Sequence, residues 1–227
     1  MTALDPTALV RRGYDALSHR YRRDDDEPAE YAAWLAALHE RLPAGAGVLD
    51  LGCGCGVPVA RTLTERGHDV TGVDLSDVQI ERARRLVPRA TFLRADATRV
   101  AFPERSFDAV VCLYALIHMP LDAQQPLIAR IATWLRPGGI LLATTGSHEW
   151  TGTDEDWLGG PAPMWWSQAD AATYRGWITG AGLNIDDDVF VPDGDSGHHL
   201  FRASRPASDE PMAVASVDPI GPRRDPC

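Results

Sequence analysis

Little in this chain suits an oxidising compartment, a membrane or a polyanion. Only four of its 227 residues are cysteine: Cys53, Cys55, Cys112 and Cys227. Two stand as C-x-C with no second pair. That is a poor zinc pattern, so they read as small buried side chains in a reducing cytosol. No stretch is apolar for the thickness of a bilayer, and the N-terminus carries no h-region. These absences predict a cytoplasmic protein off the membrane. There is no basic run, and the net charge is −10. That balance opposes non-specific binding to nucleic acid or anionic lipid, which runs on Lys and Arg. No repeat of fixed period is present. What remains is 44% apolar and 24% charged, an ordinary globular composition long enough for a real core.

The most informative stretch is Val48-Leu49-Asp50-Leu51-Gly52-Cys53-Gly54-Cys55-Gly56. An apolar run ending near a carboxylate reads as a buried strand. Three alternate glycines then make a turn, and Val57-Pro58 opens a helix. Glycine leaves room for a ligand to lie on the backbone. A dinucleotide loop reads G-x-G-x-x-G and sets pyrophosphate on the helix N-terminus. Here the spacing is G-x-G-x-G, with Asp50 just before it. A carboxylate there repels phosphate and attracts a cation such as an α-ammonium. The acid followed by G-x-G-x-G resembles the first motif of class I S-adenosylmethionine (SAM)-dependent methyltransferases.

Around that stretch the chain alternates. Helices are expected at 5–23 and 29–41, with an acidic break at Asp24-Asp25-Asp26-Glu27 that reads as a solvated turn. Strands are expected at 47–51, 69–74, 91–95, 107–113 and 140–145, and helices at 57–66, 77–87, 121–135 and 168–181. A short helix is expected before Phe102, and Pro137-Gly138-Gly139 is expected to end the helix at 121–135. This pattern predicts an α/β fold, a doubly wound parallel sheet with helices on both faces. Strands at 184–191 and 198–204 have no long helix between them and should form a hairpin. The resemblance implies a seven-stranded sheet in the order 3-2-1-4-5-7-6, strand 7 antiparallel, with lid helices over residues 1–44. The organisation expected is one domain over 1–205, a core from 45 with a Trp-rich insertion at 147–167, and a disordered tail at 206–227.

Two further acids close the next two strands. Asp74 can accept ribose hydroxyls, as acids at this distance do in dinucleotide folds. The resemblance gives Asp96 the adenine amino group, with the Ala97 backbone amide beside it. It adds Asp50, Gly52, Gly54, Gly56 and Leu75 to the cofactor site. It also places Leu113 or Tyr114 against the methionine ammonium through a backbone carbonyl, and Tyr14 and Tyr21 near the cofactor. The implied cofactor is SAM, with S-adenosylhomocysteine (SAH) as product and no metal.

His118 follows the fourth strand and faces the expected reaction zone, as a candidate general base or a backbone cap. The insertion holds Trp150, Trp157, Trp165 and Trp166. Trp150, Trp165 and Trp166, with Tyr14, His118 and His148, are the candidate acceptor site. Glu149, Asp154 and Asp156 are further polar candidates. Of His198 and His199, adjacent on a strand, at most one can face inward. The likeness covers residues 14–204 and is to small-molecule methyltransferases of the ubiquinone/menaquinone-biosynthesis type, from which the Trp-rich insertion departs. It implies methyl transfer to an O, N, S or C atom of a small aromatic or apolar metabolite, by a monomer or homodimer. The other readings are an NAD-type oxidoreductase and a SAM-binding protein of this fold that transfers nothing.

Overall fold

The computed structural model describes residues 5–26 and 28–207, and the rest of the expected tail lies outside them. Strand β1 (Gly47–Leu51) runs through the middle of the sheet, and four of its five residues are buried. It pairs in parallel with β2 (Asp69–Asp74) on one side and β4 (Phe107–Cys112) on the other. β3 (Thr91–Arg94) extends the sheet beyond β2, and β5 (Leu135–Gly146) extends it beyond β4. β8 (Asn184–Asp193) and β9 (Ser196–Ser204) form the expected hairpin, and β9 runs antiparallel to β5. The order is β3-β2-β1-β4-β5-β9-β8, the expected order once a separate hairpin is counted.

Because side chains alternate along a strand, each strand feeds two cores. Leu49 and Leu51 pack with α5 (Leu121–Trp134) and α6 (Ala171–Gly180). Val48, Ala109 and Val111 pack on the opposite face, with α2 (Ala29–His39), α3 (Val59–Glu65) and α4 (Asp77–Leu86). α1 (Pro6–Tyr21) joins neither core. Its Val10 and Leu17 pack instead on Trp157 and Met164.

Five expectations change here. The Trp-rich insertion is itself a two-stranded sheet, β6 (Trp150–Asp154) against β7 (Met164–Gln168), and α6 starts three residues later than expected. No helix forms before Phe102, where the chain only turns. α5 stops at Trp134, and Pro137-Gly138-Gly139 lies within the irregular start of β5. Gly138 N–H and Gly139 C=O there pair with the backbone of Arg205. Nor is the acidic break merely solvated. Asp24 is ion-paired with Arg82 and Arg85, and those hydrogen bonds hold its carboxyl down at about 2. Arg82 also donates to Ser18 Oγ, which donates to Gln79 Oε1, so α1 is tied to α4 by a polar seam.

Candidate active site

The carboxyl ends of β1, β2 and β4 open onto a cleft of about 730 Å³, roofed by α1. Gly52 and Gly54 form its floor, and both have positive φ (71° and 53°). A Cβ on Gly52 would stand 2.3 Å from that of Ala115, so nothing larger fits the turn. Gly56 serves a different end. It lies outside the lining of this cleft, and a Cβ there would meet Phe92 at 3.1 Å and Val87 at 3.3 Å. Its place is packing between the turn and the sheet.

Most of the turn's amides are already used. Gly52 and Cys53 N–H both donate to Val73 C=O, and Gly54 N–H donates to Asp74 Oδ2 at 2.9 Å. Asp74 Oδ1 accepts from Ser76 N–H at 2.9 Å, while Ser76 Oγ caps α4 through Gln79 N–H. Burial raises the Asp74 pKa against the pull of these amides. Asp96 holds its own turn, accepting from Thr98 N–H and Oγ1, and still lines the cleft. Leu75, Ala97 and Leu113 line it too.

Asp50 stands apart from this satisfied set. It is 2% exposed, and its Oδ2 has no hydrogen-bond partner among the described residues. Burial, and then the negative charge of Asp74, push its carboxyl up to about 8. With Gly52, Gly54 and Leu113 it lines a smaller recess that continues to Tyr21 and Arg22. An orphaned carboxylate oxygen at a recess floored by glycine fits a bound cation.

A second cavity, about 830 Å³, lies beside the first. Tyr14, Tyr21, Tyr114 and His118 line both. Tyr31, Trp157 and Trp166 give it an aromatic wall, with Arg22, Glu30, Asp193 and His198 among its polar members. Trp166 packs against His118 at 4.2 Å between ring centroids, the rings tilted by 43°. His118 is buried, with Nδ1 2.8 Å from Trp165 C=O and Nε2 3.0 Å from Tyr14 Oη. A carbonyl can only accept, so Nδ1 carries the hydrogen and Nε2 accepts from Tyr14. Burial lowers the imidazole pKa to about 4, outweighing the Trp165 hydrogen bond. His118 is therefore neutral near pH 7, with its basic nitrogen covered by Tyr14.

The remaining candidates fall elsewhere. Trp165 contributes its carbonyl, and its ring packs beneath α1 instead of lining either cavity. Trp150 and His148 are exposed, outside both linings. Glu149, Asp154 and Asp156 are exposed as well. His198 faces the second cavity, whereas His199 turns away to Asp188. Tyr31 and Arg22 were missed by the sequence reading, and Trp157 was named in the insertion but left out of the acceptor site. The alternation argument applied to the histidines would have separated Trp166 from Trp165. Trp157 sits on a single 3₁₀ turn (Trp157–Gly159), where no strand alternation ranks it. Among the described residues no group of three His, Cys, Asp or Glu is placed to hold a metal.

Residues 48–139 match the family model described as a methyltransferase domain. The chain is 36% identical over 156 residues to the 27-O-demethylrifamycin SV methyltransferase of Amycolatopsis mediterranei, covering 58% of this chain and 56% of that protein. It is 33% identical over 162 residues to the sterol 24-C-methyltransferase ERG6A of Gibberella zeae, covering 66% of this chain and 40% of that one. The chain thus spans about half the length of these curated relatives or less. Among solved structures, the 1,6-didemethyltoxoflavin-N1-methyltransferase of Burkholderia thailandensis, with its substrate and SAH bound, superposes with a TM-score of 0.68. It is 24% identical and covers 91% of this chain and 92% of that one, a likeness of fold. The chain thus matches a methyltransferase-domain model over residues 48–139 and has the fold of solved methyltransferase structures.

Proposed function

We propose that this protein transfers the methyl group of SAM to a small acceptor whose aromatic or apolar body lies in the second cavity, and releases SAH. The orphaned Asp50 oxygen carries this reading. It sits at a glycine turn where Gly52, Cys53, Gly54 and Gly56 N–H already donate within the protein, so the turn offers a cation a partner and a pyrophosphate few amides. That disfavours an NAD-type reading, which needs free amides at the turn. The methyltransferase-domain match over 48–139 and the similarity to named methyltransferases support it as well.

In this reading Asp50 and the Leu113 carbonyl hold the methionine ammonium. Asp74 takes ribose hydroxyls, and Leu75, Asp96 and Ala97 hold the adenine. The sulfonium would supply an electrophilic methyl, which a nucleophile attacks in line as the C–S bond breaks. Trp157 and Trp166 seat the acceptor, and Tyr14, Tyr21, Tyr114 and His118 frame the passage between the two cavities. Positioning and exclusion of water do most of the work.

Calorimetric titration with SAM, EDTA present, tests the cofactor. Binding without added metal is expected, and no heat at millimolar SAM would overturn the reading. SAH release on incubation with a small-molecule library then separates transfer from binding alone.

A further inference from the structure

We propose that Tyr14 touches the acceptor directly and accepts a hydrogen bond from it, so that the nucleophile is an oxygen or nitrogen that still carries hydrogen. This rests on the methyl-transfer reading above and narrows its substrate class.

The argument is one of hydrogen-bond direction. His118 Nδ1 faces a backbone carbonyl, so it must donate there. In neutral imidazole that leaves Nε2 bare, and the only proton for the 3.0 Å contact is the phenolic one of Tyr14. Tyr14 Oη has then spent its hydrogen, and any ligand group that faces it must donate. The chain of donors runs one way, from Tyr14 through His118 to Trp165.

Placement gives the chain its use. Tyr14 is one of the four residues common to both cavities, so its side chain borders the passage the transferred group would cross. A hydroxyl or amine that donates to Tyr14 is anchored by its hydrogen, with its lone pair left for attack. As the nucleophile bonds to carbon its hydrogen leaves as a proton. It passes to Tyr14 Oη while Tyr14's own proton passes to His118 Nε2. The imidazolium keeps its Nδ1–H on Trp165, and the proton returns through Tyr14 to solvent when product leaves. His118 is thus a positioning residue that acts through Tyr14. A carbon or thiolate nucleophile has no such hydrogen to donate.

Sinefungin tests this without a known acceptor, because it carries an amino group in place of the transferable methyl. Its N–H groups stand in for a protic ligand at the passage, and SAH has none there. Calorimetry should show Tyr14→Phe weakening sinefungin by about tenfold or more, the loss expected for a hydrogen bond from a charged group. SAH should change by less than about threefold, within the scatter of a single neutral contact. His118→Gln, which keeps an acceptor near the Nε2 position, should retain the preference for sinefungin over SAH, and His118→Leu should lose it. Nitrogen-15 NMR of histidine-labelled protein should show His118 protonated at Nδ1 alone. Equal losses for both ligands in Tyr14→Phe, or a His118 protonated at Nε2, would overturn the proposal. If neither ligand binds the wild type, the cofactor reading fails, and this one with it.

Discussion

Asp50 is the residue whose behaviour should change most when the cofactor arrives. Its carboxyl is pushed up to about 8, first by burial and then by Asp74. At pH 7 a group of that pKa is about one-tenth ionised, so the empty protein holds Asp50 mostly neutral. An ammonium on the orphaned Oδ2 reverses this, because the ion pair favours the charged form. Binding must then expel a proton. SAH is the suitable probe, since it carries the ammonium and is not consumed. Its own α-amino group is that of a free amino acid and stays charged over this range. The net release should be about one proton at pH 6 and about 0.9 at pH 7. The same linkage makes affinity rise about ninefold from pH 6 to 7, then flatten above about pH 8 as Asp50 ionises in the empty protein.

The assay is calorimetry of SAH in buffers of differing ionisation enthalpy. The slope of apparent enthalpy against buffer enthalpy gives the protons directly. Asp50→Asn should bind more weakly, release no proton and lose the rise with pH. It should also be more stable when empty. The sign follows from the raised pKa: between about pH 4 and 8 the folded wild type holds a proton that the unfolded chain has released, so its stability falls as pH rises through that window. At pH 7 the cost is at most about 4 kcal/mol, from about three pK units at 1.36 kcal/mol each. A higher Tm for Asp50→Asn at pH 7, with weaker binding, is the expected pair. No proton release at pH 6, with affinity flat to pH 8, would refute the account of Asp50.

Further outcomes follow from the same geometry. His118 has its pKa lowered to about 4, so the unfolded chain binds the extra proton first, and its neutral burial stabilises fully above about pH 6.5. As pH falls from there toward 4, about 3 kcal/mol should be lost, and His118→Gln should flatten that part of a Tm-against-pH curve. Trp157→Ala should cost about 3–5 kcal/mol in denaturant melts, since the ring is 8% exposed and packs on Val10 and Leu17. Trp150→Ala should stay within about 0.5 kcal/mol, as an exposed residue with no such role. Gly56→Ala should lower Tm through about 1–2 kcal/mol of left-handed strain plus the Phe92 contact, and restoring room with Phe92→Leu should recover only the second part. A gel shift at physiological salt should detect no appreciable affinity for DNA, given a net charge of −10.

Where the chain alternates strongly, sequence and structure agree closely. β1 and β2 begin and end at the expected residues, because apolar runs bounded by glycine and acid leave little choice. The three strand-end acids were legible for the same reason: a parallel sheet sends every carboxyl end to one edge. What escaped depended on partners far away in sequence. β6 and β7 are short and mostly polar at their outer face, and they are strands only because each pairs with the other. Asp24 looked like solvent-facing charge until α4 brought Arg82 and Arg85 beneath it. Gly56 reads as one more member of a ligand-binding turn, yet its neighbour is Phe92 on β3, 36 positions on. The polarity of Tyr14 was likewise hidden, for it is set by the carbonyl of Trp165 through His118.

One cause links the unusual titrations at this sheet edge. The roof of α1 and the hairpin of β6 and β7 strip water from the strand ends. Burial penalises whichever form is charged, so it raises the Asp50 and Asp74 carboxyls and lowers the His118 imidazole. The acid and the base are driven toward neutrality together. That explains how a fold can place two carboxylates and a histidine under one lid without electrostatic collapse. It also sets what the cleft can recruit. A ligand bearing an ammonium and a sulfonium brings positive charge to carboxyls that water no longer serves, and each that ionises against it strengthens the attraction. An anionic ligand meets the two carboxyls at the strand ends and a turn most of whose amides already donate within the protein. Selectivity for a cationic cofactor therefore comes from desolvation as much as from the glycine spacing that first suggested it.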